Sequence, residues 1–205
     1  MGALYLIRHG EVQSNRDNKY IGSTDLPLNQ NGLRQADRLA QHLSDRGISV
    51  VYTSSLTRAA QTAESFASFL NLPIYTVDEF RELNYGEWEG IAEAKVPILY
   101  PNEFKKWRAD PVNFKVPGGE SIADLRDRAI PAFHRTSDLH SDESVAIVGH
   151  KTVNRVLLCH LLEIDLGIYR QIEQGNAAVN LIRRRKDGTF VVESINDCSY
   201  KSDNH

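Results

Sequence analysis

The chain has few cysteines and lacks long apolar runs, and both shortages exclude classes of protein. Its two cysteines, Cys159 and Cys198, are far apart and match no metal or dithiol spacing. We therefore expect reduced thiols, as in cytoplasmic proteins. No run approaches the ~18 apolar residues that a membrane span needs. Arg8 and His9 interrupt the apolar residues at the N-terminus, so we expect no signal peptide and a cytoplasmic location.

An excess of either charge is also missing. Charged residues make up 25% of the chain, but the formal net charge is only −3. No global field therefore favours nucleic acid or an anionic membrane as a partner. The basic run at residues 183–186 adjoins a predicted hairpin turn and has no interleaved aromatic residues on which bases could stack. Any recognition of an anion must therefore be local.

The order of apolar and amphipathic segments predicts the fold class. A length of 205 residues suits a single domain over residues 1–205 with a substantial core. Apolar runs predict strands at 3–7, 48–52, 73–77 and 144–148 and a hairpin at 179–185 and 189–195, whereas helical spacing marks 32–46, 56–70, about 119–139 and about 157–162. This alternation predicts a three-layer α/β/α fold with a mostly parallel sheet. Residues 91–119 are predicted to be a lid-like insertion with a helix near 93–106.

Polar residues follow each of the four strands that precede the predicted hairpin. The first strand ends at Arg8 and His9, and Arg58 opens the helix after the second. Glu82 follows the third strand, and His150 follows the fourth. Ligands of open α/β sheets bind at the carboxyl ends of the strands, so these side chains are expected to converge. A cation in a first helical turn opposes the helix dipole, so Arg58 is expected to need an anionic partner or full solvation.

Two imidazoles, two guanidiniums and one carboxylate suit a phosphate dianion, because arginine can grip two of its oxygens at once. Phosphoryl transfer mainly needs positioning and charge neutralisation. The sequence has no P-loop, no H-E-x-x-H and no paired aspartates. We therefore predict no metal and no other cofactor, with Arg8, Arg58 and a protonated His150 balancing the phosphate charge.

Several residues compete for these roles or are set aside. Glu87 and Glu89 are alternatives to Glu82 as the general acid and base. The remaining histidines are weaker candidates: His42, His134 and His140 are predicted on the surface, His160 against the core, and His205 is the terminal residue.

The chain has a family resemblance in residues 6–11 (Leu-Ile-Arg-His-Gly-Glu) with Asn15 and in five further motifs that follow in order, at 20–28, 54–62, 82–90, 118–121 and 148–150. This series resembles the histidine phosphatase (phosphoglycerate mutase-like) superfamily. The resemblance implies that His9 is the phosphorylated nucleophile and Glu82 the proton donor. It also implies that Arg8, Asn15, Arg58 and His150 bind the phosphate, with Gly22 at the pocket rim.

By this resemblance the protein is expected to be a phosphoric monoester hydrolase of the histidine acid phosphatase type. It would hydrolyse a small soluble phosphorylated metabolite through phosphohistidine, without metal, and a homodimer is possible. The alternatives are a phosphoglycerate mutase-type transferase and a non-catalytic phospholigand-binding module. Hydrolysis is favoured because Ile21 stands where mutases have a hydroxyl residue, and because the insertion is shorter than theirs.

The substrate stays open among phosphoserine, α-ribazole phosphate and sugar or glycerate phosphates. Lys151 and Thr152, which follow His150 where the family commonly has small residues, are expected to alter substrate contacts. Specificity is expected to lie in residues 12–30, 91–119 and 197–205.

Overall fold

A six-stranded sheet forms the centre of the computed structural model, which describes residues 2–201. The strands are β1 (Ala3–Arg8), β2 (Ile48–Thr53), β3 (Ile74–Thr76), β4 (Ser144–Gly149), β5 (Val179–Arg184) and β6 (Phe190–Asp197). They lie in the order β3-β2-β4-β1-β5-β6. The pairings β3-β2, β2-β4 and β4-β1 are parallel, and β1-β5 and β5-β6 are antiparallel. The predicted mostly parallel sheet is thereby confirmed.

Helices cover both faces of the sheet, because its central strands are apolar on both sides. They are α1 (Gln13–Arg16), α2 (Gln30–His42), α3 (Thr57–Leu70), α4 (Val96–Leu99), α5 (Pro101–Ala109), α6 (Ile122–Leu139) and α7 (Lys151–Leu161). On one face Leu39 of α2 and Phe66 of α3 pack on β1, β2 and β4. On the other, Phe133 of α6 and Leu157 of α7 complete the core. The predicted three-layer α/β/α arrangement is therefore present.

Helix boundaries differ from the predicted ones where capping residues decide them. Helix α2 begins at Gln30 because the Asn29 side chain accepts the Gly32 N–H. Ser121 and Asp124 form a capping box that starts α6, and Pro131 lies inside that helix without ending it. Helix α7 begins directly after β4, well before the leucines that marked it in the sequence.

Four histidines were misplaced by the sequence patterns, since His42 and His134, predicted on the surface, are half-buried like His140. His160 is exposed rather than packed against the core, and its Nε2 lies 2.8 Å from Nε2 of His134. His140 is half-buried rather than a surface residue, and its Nε2 is 2.8 Å from the Tyr52 hydroxyl. His205 lies outside the described residues.

Residues 91–119 pack through an aromatic cluster and not through one long helix. The predicted helix near 93–106 is divided into a 3₁₀ turn (Glu93–Lys95), α4 and α5. Pro101 causes the second break, since the residue before a proline avoids helical geometry. Trp88, Val96, Trp107 and Val116 are buried together and join this segment to residues 82–90. No helix within residues 2–201 is long and apolar enough to cross a membrane.

Candidate active site

The polar residues at the strand ends meet at one edge of the sheet. Arg8 and His9 end β1, and the parallel β1-β4 register aligns Arg8 with Gly149, next to His150. A cavity of about 160 Å³ opens there. It is lined by Arg8, His9, Val12, Asn15, Asn18, Lys19, Tyr20, Ile21, Arg58, Glu82, Tyr85, Glu93, Lys151, Thr152 and Asn176. The structure thus brings five of the seven candidate residues to the cavity wall, and places His150 and Gly22 behind it.

The proton on His9 is located by a backbone carbonyl. Nδ1 of His9 lies 2.6 Å from the carbonyl oxygen of Gly10. A carbonyl only accepts, so Nδ1 carries the proton and Nε2 is left unprotonated. Burial, followed by the positive charges of Arg58 and Arg8, lowers the pKa of His9 well below 6.5. His9 is therefore a neutral imidazole at physiological pH, which is the nucleophilic form.

The guanidinium of Arg8 has one nitrogen bonded to the protein backbone and another without a partner. Its Nη1 donates to the carbonyl of Gln174 at 2.7 Å, whereas its buried Nε has no hydrogen-bond partner among the described residues. Burial lowers the pKa of Arg8 to about 10, so the group stays charged at neutral pH. A buried donor without a partner is costly, and an anion in the cavity would supply an acceptor.

Arg58 is buried, and it is paired with backbone and imidazole acceptors. Its Nη2 donates to the carbonyl of Gly22 at 2.7 Å and its Nη1 to that of Thr24 at 2.9 Å. Full solvation of Arg58 is therefore wrong, since the side chain is buried and a polar loop supplies neutral acceptors. The expected anionic partner stays a prediction, which a ligand in the cavity would satisfy. Burial lowers the pKa of Arg58, and the negative charges of Glu82, Asp25 and Glu89 oppose that shift.

His150 lies behind the cavity wall, fully buried. Its Nδ1 accepts from Nε of Arg58 at 3.3 Å, so the proton lies on Nε2, which donates to the Ser54 hydroxyl at 2.8 Å. Burial and then Arg58 lower the pKa of His150 well below 6.5. The expected protonated His150 is thus wrong for this state, since a second positive charge beside a buried guanidinium is unfavourable. What the geometry shows is an imidazole that orients Arg58.

Glu82 lines the cavity, whereas its two competitors do not. Oε1 of Glu82 accepts the N–H of Leu83 at 2.8 Å, and Oε2 accepts the N–H of Thr152 at 3.0 Å. Glu87 is exposed. The Glu89 carboxylate is engaged by backbone N–H groups of the 22–24 loop. The geometry therefore leaves Glu82 as the only one of the three carboxylates at the cavity.

Gly22 supports the site through its backbone. Its carbonyl accepts from Arg58 and its N–H donates to Glu89, so both polar groups are used within the protein. A Cβ at this position would lie 1.7 Å from the carbonyl oxygen of Leu83, which requires glycine. The cavity rim is formed instead by the neighbouring Lys19, Tyr20 and Ile21.

Asn176 is a residue of the cavity wall that sequence reasoning missed. Its Nδ2 donates to the Gly10 carbonyl at 3.2 Å and to Oδ1 of Asn15 at 3.0 Å. Oδ1 of Asn15 also accepts the N–H of Val12 at 3.0 Å, so the NH₂ group of Asn15 is left for a ligand. Asn176 precedes β5, whose antiparallel direction brings its amino end to the edge where the parallel strands end.

The donors around the cavity do not suit a metal. The buried guanidiniums of Arg8 and Arg58 repel cations and attract anions, and the two carboxylates of the lining, Glu82 and Glu93, are too few for a divalent cation that prefers oxygen ligands. Within residues 2–201, no group of three His, Cys, Asp or Glu side chains is placed to hold a metal ion.

Comparisons with known proteins match nearly the whole chain. Residues 4–198 match a family model described as "Histidine phosphatase superfamily (branch 1)". Phosphoserine phosphatase 1 of Hydrogenobacter thermophilus is 32% identical over 193 residues, 94% of this chain and 92% of the relative. Probable phosphoglycerate mutase GpmB of Yersinia pestis is 30% identical over 205 residues, 96% of this chain and 94% of the relative. Proteins named as phosphatases and as mutases are thus both similar to this chain.

Solved structures share the fold from end to end. Bacillus stearothermophilus YhfR has a TM-score of 0.91 at 30% identity, covering 98% of this chain and 100% of that chain. A phosphoserine phosphatase from Entamoeba histolytica, in complex with 3-phosphoglyceric acid, has a TM-score of 0.87 at 26% identity, covering 98% and 99%.

Proposed function

This chain belongs to the histidine phosphatase superfamily, and on that premise we propose that it hydrolyses a small phosphomonoester through a phosphohistidine on His9, without a metal. The observation that carries the proposal is the state of His9, a neutral imidazole protonated on Nδ1 and lying beside two buried guanidiniums. Such a pair neutralises the phosphoryl group while the unprotonated Nε2 remains a nucleophile.

In the first step, Nε2 of His9 attacks phosphorus and forms the N–P bond as the ester P–O bond breaks. The electron pair of that bond leaves with the alcohol oxygen, which takes a proton from Glu82. In the second step, Glu82 removes a proton from water, and the resulting oxygen attacks phosphorus and breaks the N–P bond. Inorganic phosphate leaves, and His9 and Glu82 return to their starting states.

The other residues of the site stabilise charge. Arg8 and Arg58 are proposed to hold the equatorial phosphoryl oxygens, with Asn15 contributing an uncharged donor. His150 is proposed to position the phosphate-binding Arg58, because its Nδ1 accepts from Nε of that arginine. Gly22 is proposed to help by accepting from Nη2 of Arg58 through its carbonyl. We also propose that residues 91–119 form a lid, since Glu93 from this segment reaches the cavity wall.

Hydrolysis is favoured over phosphate transfer by the residue at the rim. Ile21 lines the cavity and cannot hydrogen-bond a glycerate hydroxyl. A mutase must retain its substrate until the phosphate returns, and leaving a buried polar group unpaired costs about 1–3 kcal/mol. A phosphatase only needs to release its alcohol.

The test is to trap the intermediate. The protein is mixed with a ³²P-labelled phosphomonoester and quenched in alkali, because phosphohistidine is acid-labile. Label on the wild type and on His160→Ala, a distant exposed histidine, but not on His9→Ala, would support the proposal. Label and near-normal turnover in His9→Ala would refute it.

The mutase alternative is tested with 3-phosphoglycerate, with and without its bisphosphorylated primer. Release of inorganic phosphate from a panel of phosphomonoesters supports hydrolysis. Fast interconversion of the glycerate isomers with negligible free phosphate would establish the mutase instead.

A further inference from the structure

A second cavity of about 250 Å³ continues from the catalytic one. The two share Tyr20, Tyr85, Glu93, Lys151 and Thr152 in their walls. The second cavity is completed by Trp107 of α5, Arg155 of α7, and Tyr169 and Arg170 of the 3₁₀ turn Leu166–Gln171. A phosphomonoester whose phosphate lies beside His9 has its alcohol part in or near this space.

The wall of the second cavity carries an excess of positive charge. Lys151, Arg155 and Arg170 line it, and Glu93 is the one carboxylate among its lining residues. Arg155 is fixed in place, since its Nε donates to the Ile172 carbonyl at 2.6 Å. The carboxylate nearest to Arg155 is that of the exposed Glu173, at 3.7 Å.

Arg170 is held rigidly and is incompletely bonded. The carbon of its guanidinium lies 3.3 Å from the ring centroid of Trp107, and its Nε donates to the Tyr169 hydroxyl at 3.0 Å. Its Nη2 is buried and has no hydrogen-bond partner among residues 2–201. A planar guanidinium fixed in this way is a preorganised donor for an oxyanion.

Lys151 connects the two cavities. It directly follows His150, and burial together with Arg155 and Arg8 lowers the pKa of its amine. An anion bound between Lys151, Arg155 and Arg170 would offset the repulsion among their positive charges and would accept a hydrogen bond from Nη2 of Arg170.

A neutral aromatic alcohol part is a poorer match to this space. The aromatic wall includes Trp107, but Arg170 already covers one face of that ring. A cationic group would meet three positive side chains and a single carboxylate.

We propose that the second cavity binds an anionic group on the alcohol part of the substrate, with Arg170 and Lys151 as its direct contacts. The proposal rests on the phosphatase function and names the substrate class: phosphomonoesters that carry a second anion, such as a carboxylate, remote from the phosphate. Arg155 contributes charge from a fixed position.

The experiment compares matched substrates by phosphate release. In 3-phosphoglycerate a remote carboxylate replaces the terminal hydroxymethyl group of glycerol 3-phosphate, and phenyl and 4-carboxyphenyl phosphate form a longer pair. We expect kcat/KM to be at least about 10-fold higher for the carboxylated member of one pair or both. Equal values within both pairs would overturn the subsite while leaving the phosphatase function intact. No phosphate from any substrate would overturn the phosphatase function itself.

Variants locate the preference within the cavity. In Arg170→Gln and Lys151→Met the ratio of kcat/KM values should fall to about 3-fold or less, mainly through KM of the carboxylated substrate. Arg126→Gln removes an exposed arginine of α6 and should keep the wild-type ratio. An unchanged ratio in both folded cavity variants would refute the assignment. If neither variant folds, the ratio of kcat/KM values measured on the wild type alone decides whether the subsite exists.

Discussion

At the scale of single residues, the chemistry of this site depends on which hydrogen-bonding groups are already occupied. The Gly10 carbonyl holds the proton of His9 on Nδ1, and Arg58 holds the proton of His150 on Nε2. The two rings are neutral neighbours, with centroids 5.0 Å apart. The positive charge of the site therefore resides on Arg8 and Arg58 and not on imidazole, so the nucleophile stays unprotonated while the phosphate is neutralised.

Replacing Glu82 with glutamine should affect alkyl and aryl phosphates differently. Glutamine has one acceptor oxygen for the two backbone N–H groups that Glu82 binds. It also lacks the carboxyl proton that a general acid donates. Loss of a general acid costs ~100- to 10,000-fold in rate on an alkyl phosphate. The cost should shrink for an aryl phosphate, whose leaving oxygen needs no proton. Steady-state rates on the two substrates measure the difference.

Glu87→Gln is the matched control, because Glu87 is exposed and does not line the cavity. It should retain the wild-type rates on both substrates. An undiminished alkyl phosphatase rate in Glu82→Gln would assign the acid role to another group.

Asn176 should act as a positioning residue for Asn15. Asn176→Ala removes the donor that helps fix the Asn15 amide, so we expect about a 10-fold loss of kcat/KM, mostly through KM. Asn176→Asp places a carboxylate against the Gly10 carbonyl and Oδ1 of Asn15, and should lose more. Asn102→Ala, an exposed position on α5, serves as the control. Equal activities in Asn176→Asp and wild type would contradict the role.

At the scale of elements, one carboxylate joins the loop after α1 to residues 82–90. Glu89 accepts the N–H groups of Gly22, Ser23, Thr24 and Tyr85. The same loop presents the two carbonyls that hold Arg58. The orientation of a phosphate-binding guanidinium therefore depends on Glu89, although this residue does not reach the cavity wall.

Glu89→Gln should consequently lower both stability and activity. The amide retains a single acceptor oxygen, so part-buried N–H groups such as those of Gly22 and Tyr85 lose partners, at a cost of about 1–3 kcal/mol. For a domain of this size that corresponds to a fall in Tm of about 2–12 °C. Thermal unfolding and kcat/KM are measured side by side, with Glu64→Gln, at an exposed position of α3, as the control. A variant with wild-type Tm would show that the loop is held by other contacts.

The parallel part of the fold was predictable because its signals are local. Apolar runs end in polar residues at β1, β2 and β4, and parallel strands place such ends at one edge. Asn176 was missed because it precedes a strand, and only the antiparallel pairing of β5 with β1 brings it to that edge. The strand direction of a terminal hairpin relative to the sheet is a property of long-range packing.

The partners of Arg58 could not be predicted for a related reason. Sequence position alone placed a cation at a helix start and suggested an anionic partner or full solvation. The acceptors instead come from Gly22 and Thr24, more than thirty positions earlier, and from His150. Likewise, the second break in the helix predicted near 93–106 depends on Pro101, whose neighbours Tyr100 and Phe104 pack on Trp88.

At the scale of the whole molecule, an acidic chain concentrates buried positive charge at one edge. The formal net charge is −3, yet the two adjoining cavities are lined by Arg8, Arg58, Lys151, Arg155 and Arg170. Desolvating these cations opposes folding, and the ion pair of Arg155 with the exposed Glu173, at 3.7 Å, offsets little of that cost. The fold maintains them because apolar layers on both faces of the sheet supply the stabilisation.

The buried neutral histidines should make stability fall at mildly acidic pH. The pKa values of His9 and His150 in the folded protein lie well below 6.5, whereas the unfolded chain titrates near 6.5. Below pH 6.5 the unfolded state therefore binds more protons, and the free energy of unfolding decreases as the pH falls. Each histidine contributes about 1.4 kcal/mol per pH unit.

His9→Asn isolates one of these contributions. Asparagine can donate to the Gly10 carbonyl as Nδ1 does, but it does not titrate. Urea unfolding of both proteins is measured from pH 8 to pH 5, and the carboxylates shared by both cancel in the difference. Above pH 7.5 the two curves should run parallel, which serves as the internal control. Between pH 7.5 and pH 5 the free energy of unfolding should fall by about 2 kcal/mol more in the wild type than in the variant. Parallel curves down to pH 5 would mean that His9 is not held neutral by burial and its arginines, and the nucleophile would then need a proton acceptor near neutral pH.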